Sequence, residues 1–252
     1  MSDFELDLLA IGPHPDDVEL FCGGTVIQAA ARGHRVGVLD LTRGELASNG
    51  TPELRAEEAA ASAQLMGLLV RENLGLPDGG LSPGHDPGQV QEVAGALRRL
   101  RPALVLCPWT EARHPDHAAA GHLVTKAVFF AGLARVETGD PPFRPRQVLY
   151  YPARKAFSPT MVVDISAVRA KKAAAIACYA SQLRRAPGAP ETLVNTPLSV
   201  QALEARDRYF GGLIGVAAGE GFRGAGPVGL VDPVQHFRDN PFGEPFVFEA
   251  ER

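Results

Sequence analysis

Cysteine is scarce in this chain, and positive charge is not in excess. The 252 residues hold three cysteines, Cys22, Cys107 and Cys178, odd in number and widely spaced. That excludes a disulfide framework or a Cys-x-x-Cys zinc motif, and predicts three buried free thiols in a reducing cytoplasm. Lysine and arginine number 25 against 29 acidic residues, a formal charge of −4. A nucleic-acid binder normally carries a basic stripe, so no nucleic-acid partner is expected. No apolar run reaches membrane-spanning length, so no membrane partner is expected either. The acidic start, Met1-Ser2-Asp3-Phe4-Glu5, lacks the basic region of a secretory signal. Internal repeats are absent as well.

Strand-like and helix-like segments alternate through the rest. Strands are predicted over Leu6–Ile11, Arg35–Leu41, Val70–Leu74, Ala103–Cys107, Gln147–Tyr151 and Met161–Ile165. Helices are predicted over Val18–Ala31, from Thr51-Pro52 to about Leu68, and over Val90–Leu100, Ala118–Leu133, Ser166–Gln182 and Ser199–Leu213. Arg184–Pro197 reads as a mobile loop, and glycine-rich Gly215–Gly229 as irregular. This alternation predicts an α/β fold: a Rossmann-like, doubly wound, mostly parallel sheet with helices on both faces. Residues 1–252 are expected to form one domain, with a C-terminal extension packed on it.

Dinucleotide binding is the obvious use of such a fold, but the required Gly-x-Gly-x-x-Gly turn is missing after the first strand. In its place stand Gly12-Pro13-His14-Pro15-Asp16-Asp17, whose carboxylates would repel a pyrophosphate. A second cluster, His114-Pro115-Asp116-His117, follows the fourth strand. In Rossmann-like order the first and fourth strands are neighbours, and the crevice at their C-terminal ends binds ligands. The topology therefore brings the two clusters together.

Hydrolytic zinc usually takes three ligands from His, Asp and Glu and leaves a position for water. His14, Asp17 and His117 supply that set. Such a metal lowers the pKa of water from about 15.7 to about 7. Asp16 is then free to act as general base. His114 is expected to stabilise an oxyanion or protonate a leaving nitrogen. Asp116 is expected to hold His114 in its tautomer and favour its charged form. Read singly, each cluster is more often a helix cap with a neighbouring histidine than a ligand pair, and it is the meeting of the two that favours a metal. His34 and His236 read as surface or loop residues, His85 as a loop histidine within reach of the site, and His122, five residues beyond His117, as lying on a different face of a regular helix.

Pro13-His14-Pro15-Asp16-Asp17 and His114-Pro115-Asp116-His117 resemble the two signature motifs of the LmbE-like, or PIG-L, N-acetylglucosaminyl deacetylases. Leu41–Glu45 and Ser48–Arg55 resemble that family's loop after the second strand. Cys178–Gln182, Tyr209–Val216 and Gly219–Phe222 resemble the branch that deacetylates N-acetylglucosaminyl-malate in bacillithiol biosynthesis. The resemblance implies a cytoplasmic metal-dependent deacetylase of a small sugar conjugate. It implies zinc, with ferrous iron as the alternative, and a homo-oligomer such as a hexamer. It assigns His14, Asp17 and His117 to the metal, Asp16 to the base and His114 to the oxyanion. Arg55 matches a family arginine implicated in substrate binding. Arg43, Arg55 and Arg223 are the candidates for a substrate carboxylate, which guanidinium pairs bidentately.

Other readings compete. Chitooligosaccharide or mycothiol-type conjugates would use the same centre. Two histidines and a carboxylate also form the facial triad of ferrous oxygenases, although those need no second carboxylate beside the metal. A non-catalytic sugar- or nucleotide-binding module would be expected to lack part of the set.

Overall fold

The computed structural model describes residues 4–185, 187, 188 and 190–239. Met1–Asp3 of the acidic start, and two positions in the Arg184–Pro197 segment, lie outside the described residues.

Five parallel strands form the body of the sheet: β1 (Leu6–Gly12), β2 (Val36–Thr42), β3 (Val70–Leu76), β4 (Pro102–Pro108) and β5 (Gln147–Tyr151). Between them run α1 (Asp17–Ala31), α2 (Pro52–Met66), α3 (Pro87–Leu100) and α4 (Pro115–Ala131). The C-terminal part holds β6 (Met161–Asp164), a 3-10 turn at Ser166–Val168, α5 (Arg169–Ala177), α6 (Ala180–Leu183), α7 (Pro197–Gly212), β7 (Gly219–Gly224) and α8 (Pro233–Asp239). The strand order is β3-β2-β1-β4-β5-β7-β6. The winding direction reverses between β1 and β4, as the sequence predicts.

Both faces of the sheet are covered because the strands are apolar on both. Alternate side chains point to opposite faces. Leu9, Ile11, Leu39 and Val105 pack against α3 and α4 through Val93, Leu97, Ala120 and Leu123. Leu8, Ala10, Val38 and Leu106 pack on the other side against Val18, Val26 and Ile27 of α1 and Ile176 of α5.

Local chemistry sets the helix ends. Thr51 caps α2 by accepting the Leu54 N–H, and Pro52 takes the first turn. Gly67, at φ 80°, ends that helix two residues before the expected Leu68.

Two predicted elements are corrected. Ser166–Gln182 is not one helix, since it breaks at Cys178–Tyr179 between α5 and α6. The break turns the Tyr179 hydroxyl to Glu19 Oε1 at 3.0 Å and gives the Ser181 N–H and hydroxyl to the Glu58 carboxylate. Gly215–Gly229 is not wholly irregular. It contains β7, which runs antiparallel between β5 and β6 and lacks the apolar alternation that marks a strand.

The expected burial of all three thiols holds for Cys22 and Cys107, but Cys178, at the break, is half-buried. The C-terminal extension packs through α5, α7 and β7. Its last helix, α8, buries no residue.

A buried ion cluster anchors that extension. Lys172 of α5 lies 2.8 Å from Glu220 of β7 and 2.5 Å from Asp207 of α7. Glu220 in turn accepts the N–H groups of Gly24 and Thr25 in α1. No helix among the described residues is long and apolar enough to cross a membrane.

Candidate metal centre

The two polar clusters meet where β1 and β4 end. After β1 the chain turns sharply, and an added Cβ on Gly12 would lie 3.3 Å from Asp17 Cβ. Asp16, the N-cap of α1, takes φ 114°, a conformation that costs a non-glycine residue about 1–3 kcal/mol. That strained turn starts α1 at Asp17 and aims the two adjacent carboxylates differently. On the β4 side, His114 caps α4 and Pro115 opens it, which places His117 in the first helical turn.

Asp17 joins the clusters. Its Oδ2 lies 3.0 Å from His14 Nδ1, and its Oδ1 lies 3.2 Å from His117 Nε2. All three residues are buried. Burial raises the Asp17 pKa, but His117 and His14 outweigh it and hold the carboxyl well below the ordinary range. Two imidazole nitrogens and a carboxylate, gathered in a buried cleft, fit a divalent cation of the zinc or ferrous type.

Asp16 stands beside this set and outside it. Its Oδ2 accepts from Arg55 Nη2 at 2.7 Å, while Arg55 Nε donates to the Pro15 carbonyl. Burial pushes the Asp16 carboxyl up to about 6, against the lowering effect of the Arg55 cation. A buried carboxylate with a raised pKa is suited to proton transfer near neutrality.

His114 and Asp116 are not paired as the sequence suggests. The Asp116 carboxylate accepts the Gly79 N–H at 2.7 Å and lies 3.4 Å from His14 Nε2. It is the Asp116 backbone N–H that donates to His114 Nδ1, at 3.2 Å. Burial, followed by the charges of His117 and His14, lowers the His114 pKa, so its neutral rather than its charged form is favoured. With Nδ1 accepting, the ring proton sits on Nε2, which makes His114 a neutral donor lining the cleft.

The arginines are redistributed too. Arg55 lines the cleft but its guanidinium is engaged by Asp16 and Pro15. Arg43 lies against Gly75 and lines a separate hollow with Asp40 and Arg71. Arg223 stacks over Trp109 and Phe157, and its Nε donates to the Ser158 carbonyl. His85 is on an exposed loop and does not line the cleft.

The cleft has a volume of about 390 Å³. Leu46–Ser48, Asp78, Gly79, Arg113, Arg154, Gln182 and Thr192–Val194 complete its wall. Sequence reasoning gave none of these residues a role of its own in the site. One signal was available for Asp78, which lies just after a parallel strand, and all such strand ends open on one edge of the sheet.

This Rossmann-like frame gathers at its switch point two histidines, a carboxylate and a separate carboxylate beside them, the donor set of the class of metal-dependent hydrolases. Residues 9–128 match the model of the PIG-L family, GlcNAc-PI de-N-acetylase. Diacetylchitobiose deacetylase of Thermococcus kodakarensis is 32% identical over 190 residues, covering 69% of each protein. The crystal structure of the conserved protein TT1542 from Thermus thermophilus has a TM-score of 0.82 at 45% identity, over 90% of this chain and 98% of that one. N,N'-diacetylchitobiose deacetylase from Pyrococcus horikoshii, in complex with an inhibitor, has a TM-score of 0.73 at 25% identity, over 86% and 82%. The chain belongs to the PIG-L, or LmbE-like, family of de-N-acetylases and is an amide hydrolase.

Proposed function

We propose that this protein is a zinc-dependent N-deacetylase that hydrolyses the acetamide of an N-acetylglucosamine conjugate. Ferrous iron is the alternative metal, and N-acetylglucosaminyl-malate the substrate favoured by the C-terminal motifs. The observation that carries the reading is the placement of Asp16: a buried carboxylate adjoining the three donors without belonging to them.

A cation held by His14 Nδ1, Asp17 and His117 Nε2 would supply a Lewis acid that lowers the pKa of water and polarises the acetamide carbonyl. Asp16 takes a proton from the attacking water as the new C–O bond forms. The His114 Nε2–H donates to the oxygen that gains negative charge. As the C–N bond breaks, the proton on Asp16 passes to the leaving nitrogen, giving a free amine and acetic acid, which ionises to acetate. Arg55 fixes the Asp16 carboxylate and lowers its proton affinity, so the base is available near neutral pH. We take residues 1–252 as one such domain, working in the cytoplasm as a homo-oligomer, with the hexamer as the expected form.

The test is acetate release under anaerobic conditions from N-acetylglucosaminyl-malate, free N-acetylglucosamine and a chitin oligomer. Release from the malate conjugate well above the other two is expected. Equal rates on all three would remove the malate assignment. No acetate from any, with oxygen consumed or water added to an unsaturated acid instead, would overturn the deacetylase reading.

A further inference from the structure

We infer that Asp78 is a positioning residue that ties the metal ligand His14 to the outer lip of the cleft. Resting on the metal reading above, the inference adds a residue to which that reading gives no role. Asp78 lies two residues past the end of β3, and its side chain is 8% exposed. Its two carboxylate oxygens serve different elements. Oδ1 lies 3.1 Å from His14 Nε2, whereas Oδ2 accepts the Leu46 N–H at 2.8 Å. The Asp78 N–H donates to Glu45 Oε1, so the same loop is held twice.

The chemistry of the His14 ring makes the first contact matter. Ionised carboxylates only accept hydrogen bonds, so Asp78 and, at 3.4 Å, Asp116 fix a proton on Nε2. Asp17 Oδ2 faces Nδ1 at 3.0 Å, so a cation would take the place of the proton on that side while Asp78 keeps the one on Nε2. Carboxylates placed this way orient a ligating imidazole and raise its basicity. The second contact sets the lip. Leu46 is 70% exposed and lines the cleft, so it has little packing of its own to hold it. Gly79 reinforces the arrangement, since a Cβ there would lie 2.9 Å from Leu46 Cδ1. One carboxylate thus couples the tautomer of a metal ligand to the backbone of the substrate-facing loop.

Two variants separate the two contacts. Asp78→Asn keeps an oxygen for the Leu46 N–H but turns an amide donor toward His14 Nε2. Asp78→Ala removes both. Zinc affinity is read by chelator competition and by the visible bands of bound cobalt, and the lip by hydrogen exchange of the Leu46 amide. Zinc binding should weaken about 10–100-fold in both variants. Leu46 protection should persist in Asp78→Asn and disappear in Asp78→Ala. A merely structural role would lower the melting temperature and leave zinc affinity unchanged. Asp78→Asn binding zinc within threefold of the wild type would overturn the inference, and so would wild-type Leu46 protection in Asp78→Ala. If Asp78→Ala does not fold, Asp78→Asn decides. The metal reading fails separately, if wild-type protein and His117→Ala bind zinc alike.

Discussion

Arg55 and Asp16 form a buried ion pair, Nη2 to Oδ2 at 2.7 Å, beside the donor set and not within it. The pair ties the first turn of α2 to the strained turn before α1, and it sets the proton affinity of the proposed base. Burial raises the Asp16 pKa and the Arg55 cation lowers it, with the balance at about 6. A base works deprotonated, so activity should rise with pH through that pKa. Replacing Arg55 with Met removes the lowering influence, and the acid limb of the kcat/KM profile should move up by roughly one to three pH units. A cation in the donor set lowers the limb in both proteins and leaves the sign unchanged. A limb that stays put, or moves down, would contradict the pairing.

Asp16→Asn removes the proton acceptor but leaves His14, Asp17 and His117 in place. kcat should fall by about 10²–10⁴ while zinc affinity stays near wild type. Isothermal titration beside steady-state kinetics checks both. Wild-type turnover would remove Asp16 as the base.

Zinc should stabilise the fold through the same three residues. At about 100 times its Kd, added zinc should contribute about 2.7 kcal/mol. Chelation should lower the melting temperature accordingly. In His117→Ala the zinc-dependent shift should vanish, and an unchanged shift would place the metal elsewhere.

Gly121, one turn beyond His117, packs against the end of β4. A Cβ there would lie 2.6 Å from the Pro108 carbonyl oxygen and 3.1 Å from the Thr110 backbone, neither of which moves easily. Gly121→Ala should cost about 1–3 kcal/mol in urea unfolding. Because α4 carries His117 in its first turn, zinc affinity should fall in the same variant. Full retention of both would mean that α4 shifts freely.

Lys172 neutralises two buried carboxylates, Asp207 and Glu220. Lys172→Met leaves Glu220 without that cation and Asp207 with only Arg206 Nη2 at 3.7 Å, and should cost about 3–5 kcal/mol. Below its lowered melting temperature the variant should bind zinc normally, since Lys172 does not line the cleft. Lost zinc binding in folded protein would show that the cluster reaches the centre.

Legibility in the sequence followed the type of signal. β1, β2 and β4 announce themselves as apolar runs, β3 with its Arg71-Glu72-Asn73 more weakly, and their predicted order already places His14-x-x-Asp17 opposite His117. β7 gave no such notice: Gly219-Glu220-Gly221-Phe222 has glycine where a strand would carry branched side chains. Its strand character comes from pairing with β5 and β6. In the sequence Arg43 and Arg55 are both candidates for a substrate carboxylate, but the backbone sends Arg43 over Gly75 and Arg55 onto Asp16.

By itself the sequence determined the frame and the donor set, because hydrophobic periodicity and strand-end motifs are local properties. Only the tertiary structure decided how those groups are used. Asp16 and Asp17 are chemically identical neighbours, and the turn at φ 114° sends one to Arg55 and the other to two histidines. Asp116 turned from His114 to His14, and Asp78 arrived from a loop 64 residues away in sequence. Hydrogen-bond partners depend on distances of about 3 Å, and those distances exist only once the chain has folded.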